Sequence, residues 1–284
     1  MELFRALGNL AEPPATASRG IAEALELGAL PDPASHSELF DRQLPPYASV
    51  YLGPDGMLGG EARDRIAGFW RALDLTPPNE PDHITTMLAF YARLGELEAE
   101  SERDVATLAW RRSRVAYLWE HLMSWLPMYL ARVGGIGSAF YRMWARLLTA
   151  ALRGEAASLT EPDHPSIHVR DVPPVADPRA AGLEAFVRSL LSPARSGIIL
   201  TRSDLGRGAR TLGLGLRIAD RQRVLRTLFA QDSGATLDWL ITETDEWTRR
   251  HAEWSDVAPR LAGFWTGRAR ETAALLRSLK TEDR

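Results

Sequence analysis

The chain has 284 residues, 45% of them hydrophobic and 25% charged, with a formal net charge of −3. That length suits one large domain or two smaller ones with a real core, and the charge gives no general cationic field for gripping nucleic acid. There is no cysteine, which excludes disulfides, thiolate metal sites and cysteine nucleophiles.

Arginine is common and lysine almost absent, Lys280 being the single copy, a bias that fits GC-rich coding better than a function. The opening "MELFRALGNL" lacks the basic region, apolar core and small-residue cleavage site of a secretory signal. No uninterrupted apolar run reaches the roughly 18–20 residues needed to cross a bilayer. The expectation is a soluble cytoplasmic protein with no stable membrane insertion.

Helical periodicity dominates from there on. "GGEARDRIAGFWRALDL" predicts a helix with Ile66, Phe69, Trp70 and Leu73 turned inward. In 84–110, Ile84, Met87, Leu88, Tyr91, Leu94 and Leu97 recur at helical spacing, with Asp82 placed to cap the first turn. A further helical segment covers 105–133, with a kink expected near Pro127. The next has Phe140, Met143, Trp144, Leu147, Leu148 and Ala151 on one face, Ser138 as N-cap and Gly154 as its stop.

The stretch "TEPDHPSIHVRDVPPVADP" cannot continue a helix and predicts an exposed linker. "SGIIL", at 196–200, is the only strand-like run. Helical patterns resume near 182–192, 203–212, 219–231, 235–251 and 257–280. Thr201 and Asp204 have capping-box spacing, with Gly213 as a stop. The fold class expected is all-α, divided into a helical domain at 1–159, a linker at 160–178 and a helical extension at 179–284.

A Glu-Pro-Asp-His string occurs twice, ending at His83 and at His164. A metal reading would gather His83, His121, His164 and His168 with Asp82 and Asp163. No histidine pair has the spacing of a helical ligand pair, since Pro165 forbids a regular helix between His164 and His168. A catalytic reading, such as a hydrolase using Asp82, His83 and His121, lacks an identifiable nucleophile. At the first copy a helix start explains the residues well; at the second it cannot. The glycine-rich "GRGARTLGLGLR" lacks the Lys-Ser/Thr ending and preceding strand of a phosphate loop, so its glycines are expected to break helices. No catalytic residue, metal site or cofactor is expected.

Three motifs taken together point further. "LF" at 39–40 and "PYASVY" at 46–51 precede Pro81, Asp82, His83 and Ile84. Then come Tyr117, His121, Leu122, Trp125 and Pro127 in the order F-x3-H-L-x2-W-x-P, with Tyr for Phe. This combination resembles the TorD/DmsD/NarJ-like chaperones that assist maturation of molybdenum-cofactor oxidoreductases. The resemblance covers about 38–152; a glutamate frequent in the family four positions before the last motif is Ser113 here, and the region beyond the linker exceeds the usual family length. It implies a TorD-like helical bundle that binds the twin-arginine signal peptide, and sometimes the catalytic subunit, of a molybdoenzyme. Such a receptor needs carboxylates beside an apolar groove. Candidate client-binding residues are Tyr117, His121, Leu122, Trp125 and Pro127, with Asp82, His83 and Glu120 as a polar rim. The aromatic positions and His121 fit a packed core as well as a groove. A helical scaffold with an unrelated partner stays open as the alternative. So does the choice between a monomer and a domain-exchanged dimer, which the linker permits.

Overall fold

The structure is a computed structural model that describes residues 1–102, 104–215 and 219–282. Among them there are helices and no strand, so the chain is all-α as expected. Among the described residues the one bridge of sheet type is an isolated antiparallel pair between Tyr47 and His83. No described helix is long and apolar enough to cross a membrane. Arg103, inside the 84–110 pattern, and Leu216 and Arg217, at the end of the glycine-rich stretch, lie outside the described residues.

The helices form two compact units, one of residues 1–49 and 57–168, the other of residues 50–56 and 169–284. The first holds α1 (Glu2–Asn9), α2 (Arg19–Ala24), α3 (Pro33–Ser37), the start of α4 (Ala48–Leu52), α5 (Gly60–Ala72), α6 (Ile84–Glu100), α7 (Asp104–Tyr117), α8 (Leu126–Ile136) and α9 (Ala139–Ser158). α1 packs on α6 and α9, α6 on α7, and α8 on α9.

The reason α1 fits so closely is Gly8, where a Cβ would stand 3.3 Å from both Leu88 Cβ and the Thr85 carbonyl oxygen. Thr85 Oγ1 donates to the Gly8 carbonyl at 2.9 Å, and Trp144 Nε1 donates to the Leu7 carbonyl at 2.8 Å. The inward stripe of α6 is as periodicity predicts, with Ile84, Met87, Leu88, Tyr91 and Leu94 fully buried and Leu97 only partly. Phe140, Trp144 and Leu148 of α9 are likewise buried, whereas Met143 is exposed.

Several boundaries differ from expectation. α9 runs through Gly154 to Ser158, and its N-cap Ser138 makes no side-chain cap bond. Instead of kinking at Pro127, the chain leaves α7 through a π-helical turn, Leu118–Leu122, and begins α8 afresh with Pro127 in its first turn. Proline suits that place, since a first-turn N–H would lack a helical partner anyway. A second π turn, Glu38–Gln43, holds Leu39 and Phe40 in the core.

The second unit holds the remainder of α4 and α10 (Pro178–Leu190), α11 (Pro193–Ser196), α12 (Arg202–Leu212), α13 (Arg221–Gln231), α14 (Ser233–Ala252) and α15 (Pro259–Glu282). α14 and α15 pack along each other. The Thr201–Asp204 capping box forms, and Gly213 ends α12 in the left-handed region at φ 67°. Gly206 and Gly208 do not break α12; they lie inside it. Gly208 instead makes room for the Trp239 ring, which a Cβ would approach to 2.6 Å. The strand-like 198–200 is a buried link between α11 and α12, not a strand. The 160–178 stretch is not exposed throughout, because Ser166, His168, Val169 and Val175 are buried.

Candidate functional site

Two motifs distant in sequence, 46–51 and 81–84, meet in the first unit through their backbones. Ala48 N–H donates to the Asp82 carbonyl and Ile84 N–H to the Pro46 carbonyl, both at 2.9 Å. This pairing turns Pro46, Tyr47, Ala48 and Ser49 against Pro81, Asp82, His83 and Ile84. Asp82 therefore does not cap its own helix. The N-cap of α6 is His83, which makes no side-chain cap bond. The Asp82 carboxylate, 2% exposed, instead accepts the Ser49 N–H at 3.3 Å in the first turn of α4. An anion there suits the positive end of that helix.

Around His83 the surface turns acidic. Its Nδ1 lies 3.4 Å from Glu12 Oε1, and its ring meets the Tyr47 ring edge-on at 4.8 Å. Tyr47 donates its hydroxyl to Glu80 Oε1 at 3.1 Å. Desolvation pulls the His83 pKa down, against the pull of Glu12, Glu80 and Asp82. Desolvation and the bond to Glu80 push Tyr47 up to about 12. Glu12 and Glu80 reach solvent, and so they can receive a cation from outside.

The other motif is interior. Tyr117, Leu122 and Trp125 are fully buried, His121 is 4% exposed, and Pro127 is buried. Glu120 alone of this group is partly open. The i, i+1, i+4 helical face expected for His121, Leu122 and Trp125 is absent. Met123 N–H bonds the Leu118 carbonyl at 2.8 Å across the π turn, and Trp125 leaves helical backbone at φ −142°. An extra residue in the turn shifts the phase of every side chain after it. The result is an aromatic cluster: Phe69 lies edge-on to Tyr117 at 5.1 Å and to His121 at 5.2 Å, and Phe90 stacks on Trp70 at 3.8 Å.

His121 has a partner, His168, that the sequence set beside it only in the metal reading. Its Nδ1 lies 2.8 Å from His168 Nε2. The residues before His168 are bound on the same turn. Ser166 Oγ donates to the Glu120 carbonyl at 2.8 Å, Ile167 N–H donates to Glu120 Oε2 at 2.7 Å, and Arg65 donates to the Ile167 carbonyl. No signal in the sequence joins positions forty-seven apart. The second Glu-Pro-Asp-His copy contributes His164, whose Nδ1 stands 4.0 Å from Glu120 Oε1. Among the described residues no three ligand-type side chains gather as a metal site would need.

Comparison with known proteins shows what this region is similar to. The model described as "Nitrate reductase delta subunit" matches residues 9–131. The chaperone protein TorD of Vibrio vulnificus strain YJ016 is 32% identical over 114 residues, which is 37% of this chain and 51% of that protein. The TorD of Psychrobacter sp. strain PRwf-1 is 30% identical over 134 residues, 43% of this chain and 60% of its own length. The chain thus spans between half and three-fifths of these curated relatives, and no solved structure matches it. Both motif groups, around His83 and around His121, fall inside the matched stretch. Residues 9–131 are thus similar to the family described as "Nitrate reductase delta subunit", and the chain is similar in part to proteins named chaperone protein TorD.

Proposed function

We propose that this protein is a cytoplasmic chaperone that binds the twin-arginine signal peptide, or the apo catalytic subunit, of a molybdenum-cofactor oxidoreductase and holds it until cofactor insertion. The observation that carries the reading is the acidic surface at His83, where Glu12 and Glu80 stand beside the Tyr47 ring. Guanidinium groups bind carboxylates through paired, charge-assisted hydrogen bonds and lie well against aromatic faces. Glu120 adds a third carboxylate near the second motif. Asp82, Tyr117, His121, Leu122, Trp125 and Pro127 act from beneath, fixing the backbone that presents His83 and Glu120. The task is binding without turnover. A hydrolase centred on Asp82, His83 and His121 gains no support, since Asp82 is engaged by Ser49 and His121 by His168.

Calorimetric titration with a synthetic peptide carrying two adjacent arginines before an apolar segment tests this. Affinity should fall with rising salt, and about tenfold, roughly 1.4 kcal/mol, in Glu12→Gln/Glu80→Gln. A peptide with both arginines replaced by glutamine that binds equally well would sink the proposal.

A further inference from the structure

With Leu122 and Trp125 fully buried, the second motif offers no apolar surface to a client. The first unit offers one elsewhere. Met57 and Leu58 are neighbours in the loop between α4 and α5, and they are 68% and 62% exposed. Gly59 and Gly60 follow at φ 83° and 71°, a region that favours glycine, and an added Cβ at either would meet nothing within 4 Å. Those glycines therefore serve the turn and not the packing. They swing the chain into α5 and leave two large apolar side chains in water. Ser49 ties this loop to the acidic surface. Its hydroxyl accepts the Gly59 N–H at 3.0 Å, while its own N–H goes to the Asp82 carboxylate at 3.3 Å. In the first turn of α5, Arg63 donates to the Asn79 carbonyl at 2.9 Å, one residue before Glu80. Segments 57–63 and 79–83 are thus held side by side, with the apolar pair on one and Glu80 on the other. At roughly 3.3–3.6 Å per extended residue, a short peptide reaches from one to the other.

We infer that Met57 and Leu58 form the apolar half of the client surface and receive the apolar residues that follow the client's basic pair. The inference rests on the reading above, in which Glu12 and Glu80 take the arginines. Charge complementarity sets the occupant: Glu12 and Glu80 repel an acidic partner and attract a cationic one. A ligand that fills both places needs a cationic end beside an apolar one, and a basic pair followed by an apolar run has that order. The carboxylates then supply an attraction that salt weakens, and the loop supplies burial that salt does not weaken. Selectivity for the apolar run comes from the loop, because carboxylates bind any accessible arginine pair.

The test uses the full chain and two synthetic peptides that open with two arginines. One continues in leucine and alanine, the other in serine and glycine. Met57→Ser/Leu58→Ser removes the apolar surface and Met57→Leu/Leu58→Met preserves it. Both positions are exposed, and unchanged thermal midpoints confirm the folds. In calorimetric titration the wild type should prefer the leucine–alanine peptide by at least about tenfold. The serine variant should lose that preference and keep the salt dependence, while the swapped variant should match the wild type. Binding enthalpy for the preferred peptide should become more negative on warming in the wild type, and less steeply so in the serine variant. A preference that survives in the serine variant, or no preference or no binding in the wild type, overturns the inference. Peptides with both arginines replaced by glutamine judge the carboxylates separately. Equal affinity with and without the arginines refutes the acidic reading, and the serine variant still decides the loop. A wild type that sediments as a concentration-dependent dimer, lost in the serine variant while peptide binding is unchanged, assigns the pair to a second copy and overturns the inference.

Discussion

His121 and His168 face each other at 2.8 Å, ring nitrogen to ring nitrogen, with the two residues 4% and 2% exposed. Only one proton fits between the two nitrogens, and His168 Nδ1 is buried with no hydrogen-bond partner. The pair is thus built to be neutral. Burial pulls His121 down to about 3, and burial together with the neighbouring His121 pulls His168 well below its ordinary value.

A pH-dependent stability follows from that pair. The unfolded chain takes up protons on these rings near pH 6.5, while the folded chain resists until about pH 3 at His121. Stability is therefore full above pH 6.5 and is lost progressively as pH falls through the window below it, by up to about 1.4 kcal/mol per pH unit for each ring. Urea unfolding followed by tryptophan fluorescence between pH 7 and 4 should show this slope. His168→Leu should flatten it, and an equally steep slope in that variant would show that the pair does not titrate on unfolding.

Asp82→Ala should loosen α4 and leave the start of α6 intact. Its carboxylate accepts the Ser49 N–H, so removal leaves a buried donor without its partner and costs about 1–3 kcal/mol. Asp82→Asn keeps an acceptor oxygen and should lose less. Hydrogen exchange should quicken at Ser49 and not at Thr85 or Thr86. Faster exchange at the latter two would restore the simple helix-cap role.

What was legible in the sequence was local, and what was missed depended on distant partners. The stripe from Ile84 to Leu94 and the Thr201–Asp204 box are set by neighbours three and four residues away, so spacing alone reveals them. Asp82 at a helix start looked like a cap for the same reason. Its real partner, Ser49, came from another motif, and a single sequence does not show that approach. The π turn at Leu118–Leu122 leaves no mark in an apolar run whose residues are buried either way. Pro-rich composition ruled out a continued helix at 160–178, and none forms there until α10 opens at Pro178. It could not show that Ser166 and His168 would be buried against the turn before α8.

In the second unit, Gly208→Ala should destabilise despite the better helix propensity of alanine. The added Cβ would meet the Trp239 ring at 2.6 Å, and that ring is itself buried. Overpacking of this kind costs about 1–3 kcal/mol, against a gain of up to about 1 from propensity. Thermal unfolding should show a lower midpoint than Gly206→Ala, whose nearest neighbour is a flexible arginine end at 3.5 Å. A Gly208→Ala midpoint at or above that of Gly206→Ala would remove the packing explanation.

Trp125 and Glu80 should separate stability from client binding. Trp125 is fully buried, its ring 5.0 Å from that of Tyr129, so Trp125→Ala removes a large core side chain and should cost about 3–5 kcal/mol. Glu80 lies on the surface, where its carboxylate accepts the Tyr47 hydroxyl, so Glu80→Gln should leave the unfolding midpoint nearly unchanged. Binding of the twin-arginine peptide should behave in the opposite way. Glu80→Gln should weaken it severalfold at low salt, with the difference shrinking as salt screens the charge. Trp125→Ala, titrated at a temperature where it remains folded, should weaken it only as far as a displaced Glu120 or His83 requires. The two variants therefore differ in salt dependence as well as in magnitude. If the tryptophan variant lost affinity more than Glu80→Gln, with no change in salt slope, the client would be touching an apolar surface opened at the π turn. The acidic surface at His83 would then be a bystander.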